Sequence, residues 1–345
     1  MDFFIGANSG KGFVSFFDSF YTPDTASKVF LLKGGAGSGK STIMKKVAAR
    51  AKRRGMSAEL IYCPSDPDSL DAVHVPAVGG IVIDATAPHA LEPKAHGVLE
   101  RYVSLSGALS HDVAERKKEA LELAGEVSDA HRRAREAFAA SERAFAAVFD
   151  LVISHTDSQK LYKRAESLAK KLEGDSPLLM RRFLSGLTPK GVVRFENTPA
   201  ELVGEGSCYC LKDSFGLAPI FLSRVLEGAG LPCYGGYCPL NSSKLEHLVF
   251  PSAKTAFLSR PFAPPEGAQS CGISLDSAVD RGFLEENRDR IRLLRRTGAA
   301  LCARGCAHLS SALRLHDGLE AIFAPYTDYK LLDKIADDLI EDFFG

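Results

Sequence analysis

Residues 34–41 read GGAGSGKS and satisfy the pattern G-x-x-x-x-G-K-[ST]. Glycines at these positions let backbone N–H groups turn inward around phosphate oxygens at the start of a helix. The lysine of the pattern reaches the β- and γ-phosphates of a nucleotide, and the next hydroxyl ligates Mg²⁺. The predicted ATP-binding residues, called the first loop below, are Gly34, Gly35, Ala36, Gly37, Ser38, Gly39, Lys40, Ser41 and Thr42.

A carboxylate for the metal is expected at the end of a later apolar strand. The stretch IVIDATAPH (81–89) offers Asp84 as a Walker B aspartate, which would hold Mg²⁺ through water. We therefore predict Ser41 and Asp84 as metal-binding residues, and Lys40 and Asp84 as catalytic residues. The alternative for Asp84 is an ordinary strand-end aspartate that caps a turn.

The sequence assigns no general base. Many motor and transporter ATPases place Glu directly after the Walker B aspartate, but Ala85 stands there. The remaining candidates fit turn chemistry or a solvated loop better than catalysis; they are Asp66, Asp68, Asp71 and His89.

The elements that would position these residues follow an α/β pattern. The apolar run KVFLLK (28–33) precedes the first loop, and the apolar runs 58–63 and 79–85 follow its helix. Short apolar runs that alternate with helical stretches indicate βαβ units and a parallel sheet flanked by helices. Apolar residues spaced by three and four predict long helices over 112–152, 158–172, 284–315 and 329–344.

The chain is predicted to be a tandem duplication. An offset of 179 places FIGANSGKGFVSFFDS (4–19) on FLSGLTPKGVVRFENT (183–198), and an offset of 175 places Cys63-Pro64 on Cys238-Pro239. Self-similarity at a fixed offset indicates repeated structural units. The predicted fold is therefore a duplicated P-loop NTPase with a long helical extension in each half.

The second loop, residues 213–220, has lost the chemistry of the first. Each functional position of the first half has a counterpart without the same function, namely Asp213 for Gly34, Ala218 for Gly39, Pro219 for Lys40, Ile220 for Ser41 and Ser259 for Asp84. A carboxylate is expected where phosphates would lie, and proline removes an amide donor. We predict that the second half does not bind Mg·ATP.

These patterns divide the chain into four parts. Residues 1–111 are predicted to be the P-loop NTPase domain with intact Walker A and B motifs, and 112–175 its helical extension and linker. Residues 176–275 form the degenerate repeat, and 276–345 the C-terminal helical extension. Side by side, the two extensions would carry any surface for a protein or small-molecule partner.

Composition narrows the class of protein. Lys plus Arg and Asp plus Glu both number 43 in 345 residues, so no overall field favours nucleic acid or a membrane surface. We find no nucleic-acid signature, no apolar run of membrane-spanning length and no secretory signal. Buried, reduced thiols explain the eight cysteines more simply than a metal site, so a cytoplasmic protein is expected.

The combination of KGFVSFFDS, LLKGGAGSGKST, CPSDPDSLDAV and IDATAPH resembles a bacterial family of tandem P-loop ATPase-like proteins with a degenerate second P-loop. The resemblance covers nearly the whole chain and is closer in 1–110 than after 181. It implies ATP binding through Lys40, Ser41 and Asp84, and it indicates no substrate.

Three functions are consistent with the sequence. The first is a slow ATPase that acts as a switch or assembly factor. The second is a P-loop kinase for a small molecule or nucleotide, since no Glu follows Asp84. The third is a non-catalytic ATP-binding scaffold.

Overall fold

A computed structural model describes residues 1–87 and 90–345. The first half contains eight strands and three α-helices: β1 (Asp2–Phe4), β2 (Gly6–Ser9), β3 (Gly12–Ser15), β4 (Lys28–Lys33), α1 (Lys40–Arg53), β5 (Glu59–Tyr62), β6 (Leu70–Val75), β7 (Gly80–Asp84), β8 (Glu100–Ser104), α2 (Lys117–Ile153) and α3 (Ser158–Ala169).

The second half runs through the same series and adds two short helices. Its elements are β9 (Leu179–Arg182), β10 (Ser185–Thr188), β11 (Gly191–Arg194), α4 (Asn197–Val203), β12 (Ser207–Lys212), α5 (Ala218–Gly228), β13 (Cys233–Tyr237), β14 (Leu245–Phe250), β15 (Thr255–Ser259), β16 (Gln269–Ser274), α6 (Arg281–Glu286), α7 (Arg288–Phe323) and α8 (Tyr329–Phe344).

Each half contains one six-stranded mixed sheet, so the prediction of a parallel sheet was wrong in part. The order is β1-β5-β6-β7-β4-β8 in the first half, and β9-β13-β14-β15-β12-β16 in the second. Strand β6 pairs antiparallel with both neighbours, as does β14, while the other pairs in each sheet are parallel.

The antiparallel strand follows from the short connections on either side of it. Residues 63–69 connect β5 to β6, and residues 76–79 connect β6 to β7. A parallel crossover needs about a dozen residues or more, so these links can only reverse the chain. The sequence pattern did not predict strand β6, because the turn residues of PSDPDS precede it.

The equal strand order supports the predicted duplication, and the two halves meet around a pseudo-two-fold axis. Phe4 and Phe183, which match at the offset of 179, exchange backbone hydrogen bonds of 2.9 and 2.8 Å. The ring centroids of Phe4 and Phe195 lie 4.6 Å apart, and the equivalent rings of Phe183 and Phe16 lie at the same distance. These residues lie in or pack against one apolar core that includes residues of both sheets.

The symmetry breaks at a buried ionic cluster between the halves. Arg182 donates to the Glu59 carboxylate at 2.9 Å, and the Tyr234 hydroxyl donates to the other carboxylate oxygen at 2.8 Å. Burial alone would raise the pKa of Glu59, but Arg182, with smaller contributions from His74 and Tyr234, holds it below its ordinary value. This buried pair connects the two halves directly.

Helices α2 and α7 pack side by side, as predicted for the two extensions. The Ser141 hydroxyl donates to the carbonyl of Gly298 at 2.8 Å, and Phe138 packs against Gly305, where a Cβ would lie 2.3 Å from its ring. The contact positions run in opposite directions along the two helices, so the pair is antiparallel. Helix α2 is about 55 Å long at a rise of ~1.5 Å per residue, which is enough to reach from one half to the other.

The helices that follow this pair are exchanged between the halves. Helix α8 packs on α1 and the first sheet, and helix α3 packs on α5 and the second sheet. Their buried residues match at an offset of 171; they are Leu161, Ala165, Leu168 and Leu172 in the first half, and Leu332, Ala336, Leu339 and Phe343 in the second. Each half therefore completes the core of the other.

The predicted helix bounds agree with the structure to within a few residues, except that α7 extends to Phe323 instead of residue 315. Among the helices of the described residues, none is both long and apolar enough to cross a membrane. The described residues also contain no cluster of three His, Cys, Asp or Glu side chains arranged to hold a metal ion.

Candidate functional site

The first loop connects β4 to α1 and depends on glycine at particular positions. Gly37 and Gly39 have φ angles of 68° and 78°, in the left-handed region that favours glycine. A Cβ on Gly34 would lie 2.5 Å from the Ser38 hydroxyl oxygen. The backbone therefore adopts a tight turn that side chains at these three positions would disrupt.

Lys40 and Asp84 meet at this loop. The Lys40 ammonium donates to the carbonyls of Gly34 and Gly35 at 2.8 and 2.9 Å, and lies 3.7 Å from the Asp84 carboxylate. Burial raises the pKa of Asp84, which Lys40 and the backbone N–H of Thr86 partly offset. The Thr86 hydrogen bond also gives Asp84 the turn-capping contact expected from the alternative interpretation.

The Ser41 hydroxyl lies beside them and accepts a hydrogen bond from the backbone N–H of Leu70 at 3.0 Å. A hydroxyl and a carboxylate are oxygen donors, and Mg²⁺ is usually bound by one or two such protein groups together with substrate phosphates. The donor set of Ser41 and Asp84 therefore fits this ion.

A carboxylate from the opposite half reaches the first loop. The backbone N–H of Gly37 donates to Glu320 of helix α7 at 3.0 Å, and His316 lies one helical turn earlier, with its Nδ1 3.7 Å from the same carboxylate. Glu320 was not among the residues predicted for the site. It lies 283 positions from Gly37, and no local pattern marks it as a partner of the loop.

The second loop is closed by its own aspartate. The Asp213 carboxylate accepts hydrogen bonds from four successive backbone N–H groups, at 2.7–3.1 Å; the donors are Phe215, Gly216, Leu217 and Ala218. Gly216 has a φ of 83°, close to that of its counterpart Gly37. In the second loop, these amides therefore form a cradle around a carboxylate.

The candidate general bases have different surroundings in the structure. Asp66 accepts from the Ser69 hydroxyl at 2.5 Å and from the backbone of Asp68, which is turn chemistry. Asp68 instead pairs with Lys190 of the second half at 2.6 Å. Asp71 is buried, and its negative charge helps to raise the pKa of Asp84. His89 lies outside the described residues.

The first loop forms the floor of a cavity of about 870 Å³. All its residues from Gly35 to Thr42 line this cavity, as do Asp66, Asp71 and Asp84. The opposite wall comes from helices α2 and α7 and combines apolar side chains with His131, Arg132, Arg135 and His316. This volume is within the usual range for small-molecule sites.

Comparison of the chain with models of protein families, with curated proteins and with solved structures finds no match.

Proposed function

We propose that the chain is a P-loop NTPase that binds one Mg·ATP at the first loop and acts as a slow, nucleotide-dependent switch. The observation that carries this proposal is the hydrogen bond from Gly37 to Glu320. A backbone N–H that the sequence motif assigns to phosphate is held by a carboxylate from a distant helix. Phosphate and Glu320 would compete for the same donor.

Three residues of the first half would hold the nucleotide and its metal. Lys40 would exchange the carbonyls of Gly34 and Gly35 for phosphate oxygens. Ser41 and Asp84 would hold Mg²⁺, which supplies positive charge against the β- and γ-phosphate oxygens. The second loop supports this assignment, because the backbone N–H groups at its aligned positions already bind a carboxylate.

The switch would act through the helix pair. Helix α7 carries Glu320 and packs along the length of α2, and both helices continue into exchanged helices that complete the opposite core. Release of Glu320 on nucleotide binding would change the contact between α7 and the first half. The second half, with its loop closed by Asp213, would act as the scaffold for this movement.

A kinase is the second candidate function. It is favoured by the cavity, which extends from the first loop to the polar wall of α2 and α7 and so offers space for an acceptor molecule. Ala85 in place of a water-activating Glu is consistent with transfer to an acceptor.

Turnover of the purified chain with Mg·ATP distinguishes these functions. Slow phosphate release without an acceptor, abolished by Lys40→Ala and retained by Pro219→Ala in the second loop, supports the switch. Product that forms only with a nucleoside, nucleotide or sugar acceptor supports the kinase. Binding without turnover supports a scaffold, and the absence of ATP binding contradicts all three.

A further inference from the structure

We propose that His131, Arg135 and His316, called the cationic wall below, form a second anion site that binds a phosphate group opposite the first loop. This inference extends the proposed function and rests on it, because the position of the nucleotide is taken from that proposal. Its ligand is a phosphate group, either the terminal phosphate of the bound nucleotide or that of a second small molecule.

Arg135 supplies the fixed charge of this wall. Its neighbour Arg132 is neutralised on its own helix by Asp129 and Glu136, at 3.1 Å each. Among the described residues Arg135 has no acidic partner within ion-pair distance, although it lines the same cavity. A guanidinium is always charged, and its fork of N–H donors matches phosphate oxygens.

The β2–β3 hairpin packs beside Arg135. At Gly10 the hairpin approaches α2 so closely that a Cβ would lie 2.6 Å from the Cα of Ala139. The Arg135 side chain passes 3.8 Å from the equivalent Cβ position of Gly12, whose φ of 97° favours glycine. Arg135 therefore lies on the part of α2 that contacts this hairpin.

The two histidines bring hydrogen-bond donors from both helices of the pair. Burial lowers the pKa of His131, and repulsion by His316 lowers it further. Two groups that repel each other when protonated are both stabilised by an anion between them. An imidazole also donates a hydrogen bond in either protonation state.

The cationic wall lies close to the first loop. His316 is one turn, or about 5.4 Å, before Glu320 on α7, and Glu320 accepts from Gly37 at 3.0 Å. A phosphate on the cationic wall would therefore lie near the terminal phosphate of a nucleotide in the first loop. When Glu320 leaves Gly37, the cationic wall faces the anions that replace it.

Titration with inorganic phosphate, followed by ³¹P NMR, tests this site in the full-length chain. The protein is compared free of nucleotide, saturated with Mg·ADP, and saturated with a non-hydrolysable Mg·ATP analogue. The variants are Arg135→Ala and His131→Gln, with Arg133→Ala, an exposed arginine outside the cavity, as the matched control. Lys40→Ala disables the first loop, and thermal unfolding confirms that each variant is folded.

We expect phosphate to bind the Mg·ADP form and Arg135→Ala to weaken it about tenfold, the equivalent of ~1.4 kcal/mol, while Arg133→Ala has no effect. Binding that persists with the ATP analogue identifies a second ligand as the source. If the analogue excludes phosphate and Arg135→Ala weakens the analogue but not ADP, the source is the terminal phosphate.

Either of two results overturns the site. One is that Arg135→Ala and His131→Gln change neither phosphate binding nor the ratio of analogue to ADP affinity. The other is phosphate binding that Lys40→Ala abolishes and Arg135→Ala does not, which assigns the anion to the first loop. If no nucleotide binds, the proposed function fails, and phosphate titration of nucleotide-free protein still tests the cationic wall.

Discussion

At the scale of single residues, the two loops satisfy the same backbone donors in different ways. Asp213 belongs to the second loop itself, and its four hydrogen bonds close that loop from within. Glu320 contacts the first loop through one hydrogen bond, from a helix of the other half, with a half-exposed side chain. Asp213 is part of the loop that it closes, whereas Glu320 belongs to a distant helix.

Glu320→Ala should therefore tighten ATP binding. The variant removes the group that competes with phosphate for Gly37, and a charged hydrogen bond that is half-exposed contributes about 1 kcal/mol. We expect an affinity about fivefold higher in calorimetric titration. Asp317→Ala, an exposed carboxylate on the same helix, is the matched control. Unchanged or weaker binding by Glu320→Ala would show that the carboxylate does not compete with nucleotide.

Asp84→Asn should remove the magnesium dependence of turnover and leave nucleotide binding reduced but measurable. Asp84 lies at the end of β7, where its carboxylate approaches Lys40 at 3.7 Å. Asp66→Asn is the control, since Asp66 caps a turn. The assignment is wrong if Asp66→Asn abolishes the magnesium dependence and Asp84→Asn retains it.

The sequence could predict the residues of the site that belong to one βαβ unit. Lys40, Ser41 and Asp84 follow a strand or end one, so the carboxyl edge of the sheet brings them together. The sequence could not predict the roles of Glu320 and Arg135, because the contacts of these residues depend on how the two halves pack together. Nothing in the pattern of a helix specifies which distant loop it approaches.

At the scale of elements, short-range signals predicted the long helices and the strands beside the first loop, but not the short helices α4 and α6. Strands β6 and β8 were not predicted. Turn residues precede β6, and β8, which reads ERYVS, has a mixed polar pattern.

The antiparallel strand of the second half, β14, carries a buried histidine that affects stability. On β14, His247 accepts from the backbone N–H of Ser259 at 3.1 Å and is fully buried within the sheet.

The free energy of unfolding should decrease in acid, because His247 is buried in its neutral form. Burial lowers its pKa from 6.5 to about 3, so the unfolded chain binds this proton more readily than the folded chain. The stabilisation from neutral His247 is complete above pH 6.5 and declines by ~1.4 kcal/mol per pH unit as the pH falls toward 3.

Denaturant unfolding at pH 7, 6, 5 and 4 measures this contribution. His247→Asn keeps a hydrogen-bond acceptor but cannot titrate in this range, so the pH dependence of its unfolding free energy should be shallower by that amount. His111→Asn, at an exposed position, is the control. An identical pH dependence in His247→Asn and the unchanged protein would contradict the burial of an uncharged imidazole.

At the scale of the whole molecule, the exchange of α3 and α8 makes each half depend on the other. Burial of Leu332, Leu339 and Phe343 against the first sheet contributes about 5–9 kcal/mol in total, at ~1.5–3 kcal/mol per large apolar side chain. This is comparable with the total stability of a typical domain, about 5–15 kcal/mol. The first half should therefore not persist alone.

Division of the chain in the linker tests this dependence. We expect fragment 1–177 alone to aggregate, and fragments 1–177 and 178–345 expressed together to form a one-to-one complex that binds ATP. Size-exclusion chromatography and proteolysis measure both outcomes. A soluble, monomeric fragment 1–177 with full-length ATP turnover would show that the exchanged helix is dispensable.

We propose that one half of the molecule binds nucleotide and the other half supports it. Calorimetric titration of the full-length chain with Mg·ATP tests this claim most directly. It should give a stoichiometry near one, abolished by Lys40→Ala and unchanged by Pro219→Ala. A stoichiometry near two, the absence of binding, or binding that survives Lys40→Ala and is lost in Pro219→Ala would contradict it.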